Sequence, residues 1–237
     1  MNRVKRLRPD STLDRVLQSA ARLQEAVPDA VLVGGSAAAL YAAHRESLDN
    51  GHVLSDLDER FEQVLEAIES TEGWVTNRIV PGKIILGSLG NIEAGVRQMI
   101  RKRPLETEQV ELPEGGSVRV PTWAETLRIK AYLIVRRNQV RDYLDVAALA
   151  DSGGRDHAAA VLAGIDDWYA DQAQSSDGVA SQLVRQLADP RPADSSVTAE
   201  LEHYKNLERR WHDWQETVEI CRELAARILK SDEGAPQ

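Results

Sequence analysis

The stretch AVLVGGSAAALYAAHR, residues 30–45, constrains the fold more than any other part of the chain. A short apolar β-type run ends in Gly34-Gly35-Ser36 and passes directly into an alanine-rich segment, and alanine is the best helix former. A strand, a glycine turn and a helix start in this order place backbone N–H groups and the Ser36 hydroxyl at a positive helix end, a preformed site for an anion such as phosphate. The same two glycines also suit a plain tight turn. The spacing matches neither the P-loop nor the Rossmann dinucleotide fingerprint, so neither fold is indicated.

Around this core the pattern is mixed α/β first and helical later. Residues 11–27 carry Leu13, Val16, Leu17, Ala20, Leu23 and Val27 at spacings of three and four, a helix with one buried face. Ser55 is placed to cap a helix over 55–70, with Asp56, Asp58 and Glu59 in its first turn. Between 73 and 120 the pattern shortens to strands, GWVTNRIV, KIILGSL and IEAGVRQMI, followed by a hairpin in which TEQVELP and SVRVP flank PEGG. Thr122 and Glu125 fit a capping box that opens the helix TWAETLRIKAYLIVRRN, and RDYLDVAALAD is a second helix. The remainder reads as helical apart from an SSDG turn near 175, the loop DPRPADSS near 190 and a disordered SDEGAPQ tail. A last helix over 198–230 sets Leu201, Tyr204, Leu207, Trp211, Trp214, Val218, Cys221, Leu224 and Ile228 along one stripe, suited to the chain's own core or to a partner's groove. The expected organisation is an α/β domain over 1–121 and a helical domain over 122–237.

Composition bounds the function classes. With 42% hydrophobic and 28% charged residues the chain is of the soluble globular type. No apolar run approaches the roughly 18 residues that span a bilayer, and MNRVKRLRPDST lacks the apolar core of a signal. The single Cys221 forms no internal disulfide or zinc site, so a cytoplasmic chain without membrane association is expected. A formal net charge of −9 argues against a nucleic-acid partner, yet ten basic residues against five acidic ones between 97 and 141 form a basic island able to face a polyanion. The alternative is that Arg101, Lys102 and Arg103 make a solvated loop while Arg136 and Arg137 close a helix at its negative end.

Several side chains suit phosphoryl transfer, which needs acidic oxygens converging on Mg²⁺. Asp49 leads: if SLDNGHV is a strand, Ser47, Asp49 and Gly51 share one face. Asp56 and Asp58 have the two-residue spacing of a metal pair but also suit a helix first turn. Glu93 in the alternating strand IEAGV is a third ligand or a residue of an exposed sheet face. Lys130, close to Leu127, Ala131 and Ile134 on a helical wheel, binds a triphosphate as a point charge or snorkels to the surface. Arg141, Asp142 and Asp145 stand together at a helix start, where capping is a sufficient reason for the acids. His44 and His52 lie on no zinc motif.

Taken together, LVGGSAAALYAAHRESLD, GKIILG, IEAGVRQ and ETLRIKAYLIVRRNQVRDYLDVAAL resemble the nucleotidyltransferase toxins of the AbiEii/AbiGii abortive-infection type, relatives of the mycobacterial Men toxins, over about residues 30–150. The resemblance implies a polymerase-β-like nucleotidyltransferase domain with a mixed sheet, followed by a helical C-terminal domain that completes the active-site cleft. It implies Mg²⁺-dependent transfer of a nucleotide from an NTP to RNA, with tRNA 3′ ends as acceptors, and a cognate antitoxin as partner. By the same resemblance Gly34, Gly35, Ser36, Arg45, Ser47 and Lys83 bind the nucleotide, and Asp49 and Glu93 hold the metal. Lys130 contacts the phosphates, and Asp142 is the acidic residue of the second domain; with Asp49 these two form the catalytic set.

One position departs from the family. Its S-x-D-x-D motif reads Ser47-Leu48-Asp49-Asn50-Gly51 here, without the second aspartate. Losing a bridging ligand removes several kcal/mol of transition-state charge stabilisation from two-metal chemistry. The alternative expectation is therefore a catalytically impaired relative that binds nucleotide or RNA.

Overall fold

The computed structural model describes residues 4, 7–172 and 177–233, with side chains through Lys230. The expected SSDG turn and SDEGAPQ tail fall partly outside these residues. Two compact units share the chain: one comprises Val4–Leu40 and Glu46–Thr122, and the described part of the other comprises Tyr41–Arg45 and the chain from Trp123 onward.

The first unit is a mixed sheet with helices on one face. Helix α1 (Thr12–Ala26) is capped by Ser11, whose hydroxyl accepts the Asp14 N–H, and it leads into β1 (Val31–Val33). Helix α2 (Gly34–Ala42) begins at Gly34, whose φ of 81° is a left-handed value that favours glycine. Strands β2 (Asp49–Leu54), β3 (Trp74–Val80), β4 (Ile84–Leu89) and β5 (Ile92–Gln98) complete a five-stranded sheet of order β1-β2-β5-β4-β3. The central pair β2 and β5 is parallel, and every other pair is antiparallel. Period-two alternation sends Leu54, Ile85, Leu89, Ala94 and Val96 to one face, where Leu23 of α1, Val27 just after it, and Phe61, Val64 and Ile68 of α3 (Phe61–Glu69) cover them. Each large aliphatic side chain buried there contributes roughly 1.5–3 kcal/mol. The hairpin β6 (Thr107–Glu111) and β7 (Ser117–Pro121) is tied to α1 by the Gln24 amide, which bonds both the N–H and the carbonyl of Arg119.

Helix α3 starts later than Ser55 predicts. Residues 55–60 form bends and turns, and the carboxylate of Asp56 is drawn to Arg60 at 2.9 Å. The acidic cluster DLDE thus precedes the helix instead of occupying its first turn.

The second unit is helical: α4 (Trp123–Arg137), α5 (Val140–Gly153), α6 (Arg155–Ala163), α7 (Asp166–Tyr169), α8 (Val179–Ala188) and α9 (Trp214–Glu233). Its core includes Leu127, Ile134, Leu144, Leu149, Leu162, Leu183 and Leu224. The expected helix over 198–230 is only half realised, because the chain is regular α from Trp214 while 195–212 holds three short 3₁₀ segments. Lys205 and Asn206 both take φ of 47°, a left-handed pair no α-helix can contain, and the Asp213 carboxylate accepts the Gln215 N–H at the true start. Leu201, Leu207 and Trp211 are nonetheless buried, so the apolar stripe faces this unit's own core. Among the described residues no helix is long and apolar enough to cross a membrane.

Candidate functional site

The face of the sheet opposite α1 and α3 carries the candidate site. Residues paired across a sheet point the same way, so the register lays out rows of side chains on this face. The first row is Asp49, Glu93, Ser88 and Val75, and the second is Gly51, Gly95, Leu86 and Arg78. The third is Val53, Arg97, Ile84 and Val80. Asp49 and Glu93 are therefore direct neighbours on parallel strands, both exposed to solvent. A cavity of about 260 Å³ is lined by both carboxylates, by Gly51 and Gly95, and by Arg78 and Arg97.

Local structure holds Asp49 from two sides. The Ser47 hydroxyl donates to its carboxylate at 3.1 Å, and the buried Ser36 hydroxyl donates to its backbone carbonyl at 2.7 Å. Ser36 thus joins the first turn of α2 to the start of β2, a bond different from the phosphate contact that the resemblance implies. Gly34 and Gly35 supply the backbone at the start of that helix, where N–H groups lack intrahelical partners.

Lys83 lies elsewhere. It sits in the β3–β4 turn, where its carbonyl accepts the Gln98 N–H, five residues along β5 from Glu93 and so about 17 Å away. The sheet does not bring it to Asp49.

The remaining predicted residues belong to the helical unit and form a polar centre of their own. Asp145 on α5 is fully buried and accepts from Lys130 at 2.7 Å, from Arg45 at 2.8 and 3.0 Å and from His44 at 2.7 Å. Burial by itself would raise the Asp145 carboxyl, but Arg45, Lys130 and His44 hold it well below the usual carboxylate range. Burial pushes His44 down more strongly than the Asp145 hydrogen bond pulls it up, so its ring is neutral near pH 7. Asp142, also buried, makes a bidentate pair with Arg137 at 2.7 Å for each bond. Within RDYLD the acid bonded to Lys130 is thus Asp145, three residues beyond Asp142.

Sequence reasoning missed Asp145, His44, Arg78 and Arg97 as site residues. A signal for Asp145 existed: α5 is buried at every position from Tyr143 to Ala150, so an acid among them requires a partner. The signal for Arg97 is its alternation with Glu93 and Gly95. Part of the basic island is consumed internally. Arg101 donates to the carbonyls of Arg103 and Pro104, and Arg128 pairs with Glu125 and lies 3.8 Å over Trp168.

Comparison with known proteins places this geometry. The chain is similar to the nucleotidyltransferase toxin MenT4 of Mycobacterium tuberculosis, with a TM-score of 0.59, 18% identity and coverage of 92% of this chain and 82% of that one. A putative nucleotidyltransferase from H. pylori gives 0.52 and 16%, covering 98% of this chain and 100% of that one. The chain therefore has the polymerase-β-like nucleotidyltransferase fold, with a mixed α/β region around a central sheet followed by a helical region. No family model matches it. In sequence it is 34% identical over 210 residues to the heme uptake protein MmpL11 of Mycobacterium tuberculosis, a match over 78% of this chain. It is 39% identical over 132 residues, 55% of this chain, to the mycolic acid-containing lipids exporter MmpL11 of Mycolicibacterium smegmatis. The chain spans about a fifth of the length of the first of these relatives and 13% of the second.

Proposed function

We propose that this chain is a Mg²⁺-dependent nucleotidyltransferase of the toxin type, taking an NTP on the open sheet face and transferring its nucleotide to RNA, with a tRNA 3′ end as acceptor. The observation that carries this reading is the register pairing of Asp49 with Glu93 at one cavity. Two adjacent, exposed carboxylates suit one Mg²⁺, which takes one or two carboxylates and fills its octahedron with water and substrate phosphates. They do not suit two ions: among the described residues no group of three Asp, Glu, His or Cys side chains converges, and position 51 is glycine. When bound, the ion would polarise the reacting phosphoryl group and neutralise charge on the leaving pyrophosphate. The chain's own residues position and bind. Ser47 orients the Asp49 carboxylate, Ser36 fixes its backbone, and N–H groups at the start of α2 suit phosphate oxygens. In this reading the chain is the toxin of a toxin–antitoxin or abortive-infection pair, acts in the cytoplasm and meets a cognate antitoxin.

A second reading, nucleotide or RNA binding without turnover, is favoured by Gly51.

Incubation with total tRNA, Mg²⁺ and each labelled NTP separates the two readings. Transfer by the unaltered chain, reduced at least about 100-fold in Asp49→Ala, is the result expected of the enzyme. Gly51 has no left-handed φ, and an added Cβ meets no atom within 4 Å, so Gly51→Asp is expected to fold with a stability change under about 1 kcal/mol. Label from Gly51→Asp alone would mean an intact scaffold whose natural chain lacks its second metal ligand, the outcome expected of the second reading. Label from no variant would exclude the transferase.

A further inference from the structure

We propose that Arg78 and Arg97 form a subsite for a phosphate ester in the cavity they share with Asp49, Glu93 and the open backbone at Gly51. The inference deepens the reading of this face as a nucleotide site and rests on it.

Both arginines line the same cavity as the two carboxylates, yet neither has a hydrogen-bond or ion-pair partner among the described residues. Geometry explains why the opposite charges do not neutralise each other. Glu93 and Arg97 lie on one face of β5 but four residues apart, about 13 Å along the strand. Arg78 stands two strands from β5, a lateral step of roughly 10 Å, in the row shared by Gly51 and Gly95. The guanidinia therefore face the carboxylates over a gap that a ligand can occupy.

The floor of that gap is backbone. It is open only at Gly51, where an added Cβ meets nothing within 4 Å; at Gly95 a Cβ would lie 2.6 Å from Leu86 Cδ2 and 2.7 Å from the Ile85 carbonyl oxygen, so the Leu86 side chain covers that strand and borders the gap. A ligand can accordingly lie against β2 at Gly51, beside the Leu86 side chain. Charge selects its chemistry. Two carboxylates balance two guanidinia, and one Mg²⁺ on the acidic row makes the lining doubly positive, the complement of a phosphate dianion. Arginine is the residue type suited to phosphate, since its planar fork binds two oxygens at once. The phosphate ester has two sources, the tail of the nucleotide or the backbone of the RNA acceptor.

Fluorescence anisotropy with a fluorescent ATP analogue plus Mg²⁺, and separately with a labelled ten-nucleotide single-stranded RNA, tests the subsite. The variants are Arg78→Glu/Arg97→Glu, Arg97→Lys and Asp49→Ala, with circular dichroism as the fold check; both arginines are solvent-exposed, so native spectra are expected. The double variant is expected to lose about tenfold or more in affinity for at least one probe, with Arg97→Lys intermediate. Loss confined to the ATP analogue assigns the subsite to the nucleotide tail. Loss confined to RNA assigns it to the acceptor, with the slope of log K against log salt falling by about 1.4 for two lost contacts. Unchanged affinity for both probes in the double variant overturns the subsite, even where Asp49→Ala abolishes binding of the ATP analogue. Arginine-dependent binding that ignores Asp49 and Mg²⁺ keeps the subsite and overturns the metal-site reading. Failure of the unaltered chain to bind either probe overturns both.

Discussion

Asp145→Ala is expected to destabilise the helical unit by about 3–5 kcal/mol, the range for removing one partner of a buried ion pair. The reason lies in what stays behind. Lys130 is 2% exposed and Arg45 6%, and both lose the carboxylate that compensates their burial. His44 Nε2 loses its acceptor as well, and its Nδ1 already has no partner among the described residues. Urea unfolding at pH 7 measures the loss. Asp145→Ala combined with Lys130→Met is expected to recover part of it, because the second change removes one stranded cation. A double variant no more stable than the single one would mean that Lys130 reaches water when Asp145 is gone. The pH dependence has a definite sign: the folded pKa of Asp145 is depressed, so its contribution is present above the ordinary carboxylate pKa and is lost as pH falls toward the folded value.

His52→Val is expected to stabilise the chain by about 1–3 kcal/mol at neutral pH and to flatten its loss of stability in acid. His52 is fully buried on β2 between Leu32 of β1 and Val96 of β5, and neither ring nitrogen has a hydrogen-bond partner among the described residues. Burial without a partner lowers its pKa from 6.5 to about 3. Between those values the unfolded chain takes up a proton that the folded chain refuses, so stability rises with pH across this window and falls on acidification. The slope reaches about 1.4 kcal/mol per pH unit. Valine carries no titrating ring and suits a strand buried on this face. Thermal melts of both proteins from pH 7 to pH 4 should diverge as pH falls. His44, lowered in the same direction, leaves a residual slope in the variant. Parallel curves would show that the folded state protonates His52.

Much of the fold was legible because it rests on local periodicity. The alternation in IEAGVRQ and KIILGSL marks β5 and β4, the three-and-four spacing in 11–27 marks α1, and Gly34 with its left-handed φ marks the passage from β1 to α2. Periodicity failed where non-local contacts decide. The stripe from Leu201 to Trp211 has helical spacing, yet the chain reaches the core through 3₁₀ turns and two left-handed residues, since burial of those side chains is compatible with more than one backbone path.

The site divides in the same way. Asp49, Gly51 and Glu93 were candidates by residue type and alternation, properties carried within each strand. That Asp49 stands beside Glu93 is a matter of register between parallel strands 44 residues apart, which no local pattern encodes. Lys83 shows the converse: it belongs to a motif near in sequence and sits at the opposite end of the sheet. Likewise, the choice of Asp145 over Asp142 as the acid that meets Lys130 depends on how α4 and α5 pack, because acids three residues apart share one helix face and only tertiary contact distinguishes them. Local pattern thus carries most of the regular elements and the absence of a carboxylate at position 51. Which charges meet is settled by strand pairing and helix packing, because Coulomb and hydrogen-bond energies depend on the distances these set.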